Sequence, residues 1–351
     1  MMADWSSFNG NLTVTGNQFR LCKSIDMKGT TLTLGDGLYM GHFRSGSGDA
    51  QSLTSHIGAL ASTGNPTIGN GTFNVGYNNQ NATFTGTLTC NTHKYGTGDW
   101  TLTGTANTGT LTIHEGAVIA NNTSGTIAGT INVMKGSSLY GKGFVKSVSL
   151  KKGSKLMAGQ ATYLNGTLTI NGTLTSEGGS TILMKIGKAN NDKLHFGGAA
   201  IFGKDTLEIT VTNRTIAEGE EFQLFEIDKT VKHSFIVKGT PGEGLMWDIT
   251  DIGTTGIIRA VSTDGIHAIG QNSVKIYPQI VTTRCHIDAS CACTGQITMQ
   301  LTDANGRLID NTQFNASQVH TLNMSHHPTG LYFIRLTNNG ETKVIRIMKV
   351  N

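Results

Sequence analysis

The chain is poor in several residue types, and each shortage removes a class of function. Charged residues make up 14% of the 351 residues and the net charge at pH 7 is +4, which is too small to imply a nucleic-acid partner. No apolar run approaches the ~20 residues of a membrane span. Disorder is also excluded, because disordered chains carry high net charge and few β-branched residues, whereas threonine, isoleucine and valine recur here in a regular pattern.

Cysteine is scarce and does not fix the compartment. The five cysteines are an odd number at spacings that fit no disulfide framework: Cys22, Cys90, Cys285, Cys291 and Cys293. The amino terminus, residues 1–5, lacks a basic region followed by an apolar run, so no signal peptide is visible. If the carboxyl terminus is an export signal, we expect the chain to be a fragment or truncated piece of a longer precursor.

Glycine, by contrast, is abundant, and it separates short apolar-polar-apolar triplets between residues 98 and 175. There are 46 glycines, and the clearest triplets are residues 111–113, 131–133, 148–150 and 168–170. Their recurrence of about 17 to 20 residues is typical of one turn of a β-solenoid, which cannot bury its apolar face alone. Because side chains alternate along a strand, the apolar residues face a core and the polar one faces water.

This pattern predicts an all-β chain of several parts. Residues 1–178 are predicted to form a parallel β-helix, with irregular turns in 1–85 and regular repeats in 86–178. Longer strands in 179–261 predict a β cap, because an open last turn would expose unpaired backbone groups. Residues 262–272 are predicted to be a linker, and residues 273–351 a separate small β domain.

The residues around Trp100 carry a family resemblance. Residues 95–104 place Gly96, Gly98, Trp100 and Leu102 in a run that resembles an autotransporter-associated β-strand repeat. The resemblance covers about residues 86–180, although residues 157–159 depart from the Pro-Gly that the family usually has. It implies a right-handed parallel β-helix in a surface or secreted protein and implies no enzymatic activity.

The end of the chain is similar to the C-terminal sorting domain of type IX secretion. The motif residues are Tyr277, Pro278, Asp303, Gly306, Arg307, Gly330, Tyr332 and Lys343. Gln279 stands where the family usually has Asn, and the cysteine-rich insert 285–293 is atypical. The resemblance implies a small Ig-like β-sandwich that directs export across the outer membrane of a Gram-negative bacterium. Its partners would be the type IX secretion machinery and surface lipopolysaccharide, and the protein would be extracellular or on the outer-membrane surface.

The regular repeats offer no catalytic set of residues. There is no acidic residue between Glu115 and Glu177 and no arginine between Arg44 and Arg214. Polysaccharide lyases on β-helices need a strong base and carboxylates that hold calcium, and glycosidases need two carboxylates about 5 to 10 Å apart. We therefore expect no catalytic residue, no metal and no cofactor. A carbohydrate-active β-helix, either a lyase or a glycan-binding module, is the alternative.

Lysines are concentrated in the same acid-free region. The candidate contacts for acidic glycans or lipopolysaccharide phosphates are Lys142, Lys146, Lys151, Lys152 and Lys155. Salt would weaken such binding. The other explanation is that these lysines keep a β surface soluble and discourage edge pairing.

Two further patterns have both a functional and a structural explanation. Thr-x-Thr pairs such as Thr110/Thr112 would order water on a flat face, as in ice-binding solenoids, but threonine is also a polar residue that strands tolerate well. Cys285 and His286, with Cys291 and Cys293 nearby, could be zinc ligands, but two paired ligand sets are absent. The sequence thus predicts a secreted or cell-surface β-helix protein, stalk-like or adhesin-like and non-catalytic.

Overall fold

The computed structural model describes residues 6–105, 108–159, 166–262, 274–289, 295–338 and 341–351. Within these ranges the chain contains strands and turns and no helix, which confirms the predicted all-β class. The chain divides into two compact units. The first comprises Met1–Glu243 and Trp247–Ala260, and the second comprises Gly244–Met246 and Val261–Asn351.

Short strands follow one another along the whole first part of the chain. The strands before residue 263 are β1 (Asn11–Val14), β2 (Gln18–Leu21), β3 (Asp26–Leu34), β4 (Tyr39–His42), β5 (Thr54–Ser62), β6 (Thr67–Gly69), β7 (Thr72–Val75), β8 (Ala82–Phe84), β9 (Thr87–Leu88), β10 (Asn91–Lys94), β11 (Asp99–Leu102), β12 (Thr110–Ile113), β13 (Ala117–Ala120), β14 (Thr130–Val133), β15 (Ser138–Gly141), β16 (Phe144–Val145), β17 (Ser147–Leu150), β18 (Lys155–Ala158), β19 (Thr167–Ile170), β20 (Leu174–Ser176), β21 (Thr181–Ile186), β22 (Lys193–Phe196), β23 (Ala200–Ile201), β24 (Thr206–Val211), β25 (Glu221–Gln223), β26 (Phe225–Ile227), β27 (Val231–Lys232), β28 (Ile236–Lys238), β29 (Leu245–Asp248) and β30 (Ile257–Ser262).

Parallel pairing of these strands builds a β-helix. One parallel sheet of 11 strands runs β1-β3-β5-β7-β10-β12-β14-β17-β20-β23-β27, in chain order. A second parallel sheet of 8 strands runs from β8 to β28, and two parallel four-stranded sheets, β2-β4-β6-β9 and β16-β19-β22-β26, supply further faces. Because the chain visits the sheets in turn and returns one strand further on, each circuit is one coil.

The register confirms three of the four predicted triplets and corrects the fourth. Leu111 pairs with Ile131, and Ile131 pairs with Val148, so these triplets occupy equivalent places in successive coils. The triplet 168–170 was predicted to follow them, and this is wrong. Leu174 is the residue that pairs with Val148, whereas 168–170 belongs to β19 in another sheet. The coil is longer here mainly because 8 residues, 159–166, separate β18 from β19, whereas 2 residues separate β15 from β16 in the preceding coil.

The segment predicted as a cap, 179–261, continues the parallel stacking over most of its length. Strand β21 pairs in parallel with β18, β24 with β21, and β28 with β24, as far as Lys238. The part that departs from the β-helix is a sheet of three strands, β25-β30-β29, in which β25 and β30 are antiparallel. Trp247 on β29 is 4% exposed, and its ring contacts that of Phe222 at 5.7 Å between centroids.

The core of the β-helix is a continuous column of aliphatic side chains. Leu111, Ile113 and Ile131 are at most 1% exposed, whereas the polar Thr112 between the first two is half-buried. Glycine allows the coils to approach closely at one turn. A Cβ on Gly96, whose φ is 68°, would lie 2.0 Å from the carbonyl oxygen of Gly76 in the adjacent coil.

The second unit is built from two sheets that share one apolar core. Its strands are β31 (Lys275–Tyr277), β32 (Ile280–Val281), β33 (Arg284–Asp288), β34 (Gln296–Asp303), β35 (Leu308–Asn315), β36 (His320–Asn323), β37 (Gly330–Asn338) and β38 (Glu341–Lys349). The sheets run β31-β33-β36 and β32-β38-β37-β34-β35, and all pairs are antiparallel except β32 with β38. Met299, Leu301 and Ile334 are 0% exposed in the core.

Candidate functional site

The turns that join the eleven-stranded sheet to the eight-stranded sheet stack on one another, and we call this row of turns the corner. Its stacking follows from the strand register, in which Lys94 pairs with Ile113 and Ile113 with Val133. The residue that follows each strand therefore lies next to its equivalent in the adjacent coil. In coil order these residues are Tyr95, His114, Met134, Lys151 and Glu177.

Three aromatic rings form a stacked ladder at one end of the corner. The rings of Tyr77 and Tyr95 have centroids 4.9 Å apart and planes 13° apart, and those of Tyr95 and His114 are at 4.6 Å and 3°. The ammonium of Lys28 lies 5.3 Å from the centre of the Tyr77 ring. Because Tyr95 has a ring against each face, it presents only its edge to a sugar. The ladder therefore stabilises coil stacking, by about 0.5–1.5 kcal/mol per ring pair.

Two imidazoles lie edge to edge beside this ladder. Nδ1 of His93 is 3.0 Å from Nε2 of His114, while the ring centroids are 5.2 Å apart, so the rings meet at their nitrogens and not face to face. One nitrogen must donate its hydrogen and the other must accept it. Burial lowers the pKa of both histidines, and for His93 the neighbouring His114 lowers it further. Burial thus favours the neutral form of both imidazoles.

Lys94 occupies a core position and is 1% exposed. Its Nζ donates to three backbone carbonyl oxygens of the corner, those of Tyr95 at 2.6 Å, Gly96 at 2.8 Å and Glu115 at 3.3 Å. All three ammonium protons thus have acceptors. Burial lowers the pKa of Lys94 to about 8, against the attraction of nearby carboxylates. The side chain joins two successive turns, and it is enclosed rather than presented to a ligand.

Ser55 and His42 are hydrogen-bonded in the way that a nucleophile and its base would be. Nε2 of His42 lies 2.8 Å from the Ser55 hydroxyl, and Nδ1 lies 3.0 Å from the carbonyl oxygen of Asn70. Since a carbonyl only accepts, Nδ1 carries the proton and Ser55 donates to Nε2. Both side chains are 0% exposed, and the Phe73 ring stacks on His42 at 4.8 Å. A substrate has no route to this pair, so its role is structural.

The lysines predicted to contact acidic glycans occupy turns on different sides of the coil. Three lie in or beside the turn between β17 and β18, at the corner: Lys151, Lys152 and Lys155. The other two lie elsewhere, since Lys142 follows β15 and Lys146 lies between β16 and β17. The ammonium of Lys151 is 2.6 Å from a Glu177 carboxylate oxygen. The structure therefore brings three of the five together, and their contact with a glycan stays a prediction.

Candidate metal ligands do not cluster in the described part of the chain. No group of three or more His, Cys, Asp or Glu side chains is arranged there to hold a metal ion. Burial raises the pKa of the Cys285 thiol to about 11, and the side chain is 0% exposed. His286 Nδ1 lies 3.1 Å from the Thr321 hydroxyl. Cys291 and Cys293, the other predicted zinc candidates, lie outside the described residues.

The threonines considered for ice binding do not form an unbroken row in the eleven-stranded sheet. Thr112 pairs with His93 in one neighbouring coil and with Asn132 in the other, and Asn132 pairs with Ser149. This row therefore contains four different residue types in succession: His93, Thr112, Asn132 and Ser149. The arrangement favours the explanation that threonine is here a polar residue suited to strands.

In the second unit, Asp303 organises the turn between β34 and β35. Its Oδ1 accepts hydrogen bonds from the backbone N–H groups of Asn305 and Arg307, both at 3.0 Å, and Oδ2 accepts one from Arg307 Nε at 3.2 Å. These bonds, first the one from the Arg307 backbone, lower the pKa of Asp303. Gly306 has a φ of 79°, which glycine adopts without strain. The turn joins the antiparallel strands β34 and β35, and the motif residues Asp303, Gly306 and Arg307 are the ones that close it.

Another motif residue, Tyr332, anchors the core of the same unit. Its ring is 4% exposed, and its hydroxyl donates to the carbonyl oxygen of Pro328 at 2.9 Å. The remaining motif residues lie on strands or at their ends: Gly330 begins β37, Lys343 lies in β38, Tyr277 ends β31, and Pro278 follows it through a cis peptide bond. Tyr277 is 46% exposed, so its side chain, unlike that of Tyr332, is partly accessible to solvent.

Comparison with known proteins assigns the second unit. Residues 275–350 match the family of secretion system C-terminal sorting domains. A search of curated proteins found no match to the chain. The matched residues contain every predicted motif position from Tyr277 to Lys343. The resemblance of residues 86–180 to the autotransporter-associated repeat stays a prediction.

The sorting domain determines where the protein goes. It indicates export by type IX secretion, an interaction with that secretion machinery, and an extracellular or cell-surface location. In the ranges that the structure describes, no helix has the length and apolar character required to cross a membrane.

Proposed function

We propose that the chain is a non-catalytic β-helix passenger, stalk-like or adhesin-like, that its C-terminal unit delivers to the cell surface or the medium. The observation that carries this proposal is the match of residues 275–350 to a sorting domain at the end of a long parallel β-helix. At a strand spacing of about 4.8 Å, a sheet of 11 parallel strands extends for about 50 Å, which suits a spacer or a display surface.

A passive role is supported by where the reactive groups of the β-helix lie. The Ser55–His42 pair is fully buried, and the ammonium of Lys94 is enclosed by carbonyl groups. Glu115, the last acid before the acid-free region, accepts a hydrogen bond from the backbone N–H of Gly96 at 3.0 Å. These groups hold turns together, and the Ser55–His42 pair, which has the geometry of a nucleophile and its base, is closed to a substrate.

The export part of the proposal is tested by removing the C-terminal unit. The full chain and a version ending at Ser262, both given a signal peptide, are produced in a bacterium with a type IX system and in a mutant without it. We expect the full chain on the surface or in the medium of the competent strain only, and the shortened chain in the periplasm of both. Equal export of the two versions would contradict the proposal.

The non-catalytic part requires a separate experiment. The purified full chain is incubated with pectin-type and other acidic polysaccharides, with and without calcium, and reducing ends and unsaturated products are measured. We expect no turnover above a heat-denatured sample. Sustained product formation would instead establish the carbohydrate-active alternative.

A further inference from the structure

The last strand of the C-terminal unit has one paired edge and one open edge. Strand β38 pairs with β37 along its whole length, from Glu341 to Lys349. On its other side, β32 pairs only with Met348 and Lys349. From Thr342 to Ile347, therefore, that edge carries no strand in the part of the chain that the structure describes. An edge of this kind is a template for a further strand.

The direction of the hydrogen bonds shows which backbone groups the open edge presents. The N–H of Met348 donates to Gln279 at 2.8 Å and that of Val350 donates to Val281 at 2.9 Å, both toward β32. Successive residues of a strand direct their N–H and C=O groups to opposite edges. The N–H and C=O groups of Thr342, Val344 and Arg346 therefore point toward the open edge as well. An added strand would therefore pair with β38 on the same edge as β32, next to the residues that β32 leaves unpaired.

The side chains along this edge combine apolar and positive character. Val344 is 55% exposed and Met348 is 44% exposed, with the exposed Arg346 between them. Arg335 on β37 lies directly across from Val344. The neighbouring outward positions on β34 are Gln300 and Thr302, which are uncharged. An added strand with an acidic residue beside Arg346 and apolar residues on either side would fit this surface.

We propose that the β38 edge from Thr342 to Ile347 binds an extended, acidic segment of a secretion-machinery protein by strand addition. This inference rests on the proposed export function and names the surface through which the C-terminal unit is recognised. Backbone hydrogen bonds would provide affinity, and the guanidinium of the exposed Arg346 would provide selectivity for the acidic side chain.

Two other occupants fit less well. In the antiparallel register centred on Arg346, a second copy of β38 would place Arg346 beside Arg346 and Lys343 beside Lys349, and like charges on neighbouring strands are destabilising. The opposite edge of the sheet, on β35, exposes uncharged side chains such as Asn311 and Gln313. That edge therefore lacks the positive charge that would select an acidic strand.

The test uses prolines that block an edge without removing a backbone hydrogen bond of the fold. Val344→Pro removes an N–H that points to the open edge, where proline is tolerated. Gln313→Pro is the matched control on the opposite edge. The N–H of Ala316 donates toward β34, to Gly295 at 2.8 Å, so that of Gln313 points away from β34. Val344→Thr changes the side chain but keeps the N–H. Each full-length variant, with a signal peptide, is produced in a type IX-competent strain, and the exported fraction is measured.

We expect export of Val344→Pro to fall at least tenfold, while Gln313→Pro and Val344→Thr are exported like the unchanged chain. Arg346→Glu should also reduce export severalfold, and Arg346→Lys should preserve most of it. Thermal unfolding of the purified variants checks the fold. If Val344→Pro unfolds the C-terminal unit, the comparison of Arg346→Glu with Arg346→Lys decides whether the β38 edge is needed for export.

Normal export of both Val344→Pro and Arg346→Glu would overturn the inference while leaving the export function intact. Failure of the unchanged chain to be exported would instead overturn the proposed function. A purified chain that is dimeric in solution, and monomeric as Val344→Pro, would show that a second copy occupies the edge and would also overturn the inference.

Discussion

The β-helix and the C-terminal unit differ in how their sequences specify structure and function. In the β-helix, equivalent residues such as Leu111 and Ile131 pair one coil apart, and reactive groups such as Lys94 are used inside the turns. In the C-terminal unit, one irregular turn closed by Asp303 and one open strand edge carry the features that a partner could recognise. The repeated pattern thus specifies the fold of the β-helix. The features of the C-terminal unit that belong to no repeat specify where the protein is sent.

The largest expected effect comes from the column of core side chains. Ile131→Ala should lower the free energy of unfolding of the β-helix by about 2–5 kcal/mol, because Ile131 is 0% exposed and its truncation leaves a cavity between three coils. Ile334→Ala should have a similar effect in the C-terminal unit. Denaturant unfolding measures both. The exposed Thr130→Ala is the control, and a cost for it as large as that of Ile131→Ala would refute the predicted inward and outward faces.

A second effect separates Lys94 from an ordinary surface lysine. Its pKa in the folded chain is about 8, below the ordinary value of 10.5. Between these values the unfolded state binds more protons, so stability rises with pH across this window, and below pH 8 the full cost of burying the ammonium is present. Relative to Lys94→Met, the unchanged chain should gain about 3 kcal/mol between pH 8 and 10.5. Parallel stability curves for the two proteins would contradict the burial of the charge.

The two ends of the corner offer a smaller comparison. Tyr95→Leu removes the stacked contacts with Tyr77 and His114 and should cost about 1–3 kcal/mol. Lys151→Ala removes a partly exposed ion pair with Glu177 and should cost about 0–1 kcal/mol, less at high salt. Thermal unfolding of both variants at low and high salt measures the difference. If Lys151→Ala costs more than Tyr95→Leu, the corner is held by charge and not by ring stacking.

The smallest effect distinguishes two tyrosines of the sorting motif. Tyr332→Phe should cost about 1 kcal/mol, because the buried hydroxyl donates to Pro328. Tyr277→Phe should be close to neutral for stability, since that side chain is 46% exposed. Unfolding of the purified full chain measures both. A neutral Tyr332→Phe would show that its hydroxyl contributes nothing to the fold.

The sequence was informative where the repeat is regular. The triplets at residues 111, 131 and 148 were predicted to stack and do so, because an apolar-polar-apolar pattern at constant spacing can be aligned by inspection. The triplet 168–170 was misplaced, because the connection from β18 to β19 is longer than the one from β15 to β16 and the spacing changes there. A change of coil length leaves no mark on the triplet itself, so the pattern alone could not reveal it.

The candidate sites were harder to predict than the fold. The sorting motifs were found because their residues recur in a known order at the end of a chain. The ladder of Tyr77, Tyr95 and His114 was missed, although its members are spaced by about one coil, which was the available signal. The buried position of Lys94 gave no signal, since a lysine in a strand ordinarily indicates an outward face. The open edge of β38 could not be predicted, because it depends on which strands pair with each other and the sequence pattern does not give that pairing.

We propose that the C-terminal unit carries the export signal and that the β-helix is the passenger it exports. A fusion of residues 274–351 to an unrelated soluble reporter with a signal peptide, produced in a type IX-competent strain and in a mutant that lacks the system, tests this proposal. We expect the reporter to reach the surface or the medium in the competent strain and to stay in the periplasm of the mutant. A reporter that stays in the periplasm of both strains would contradict it.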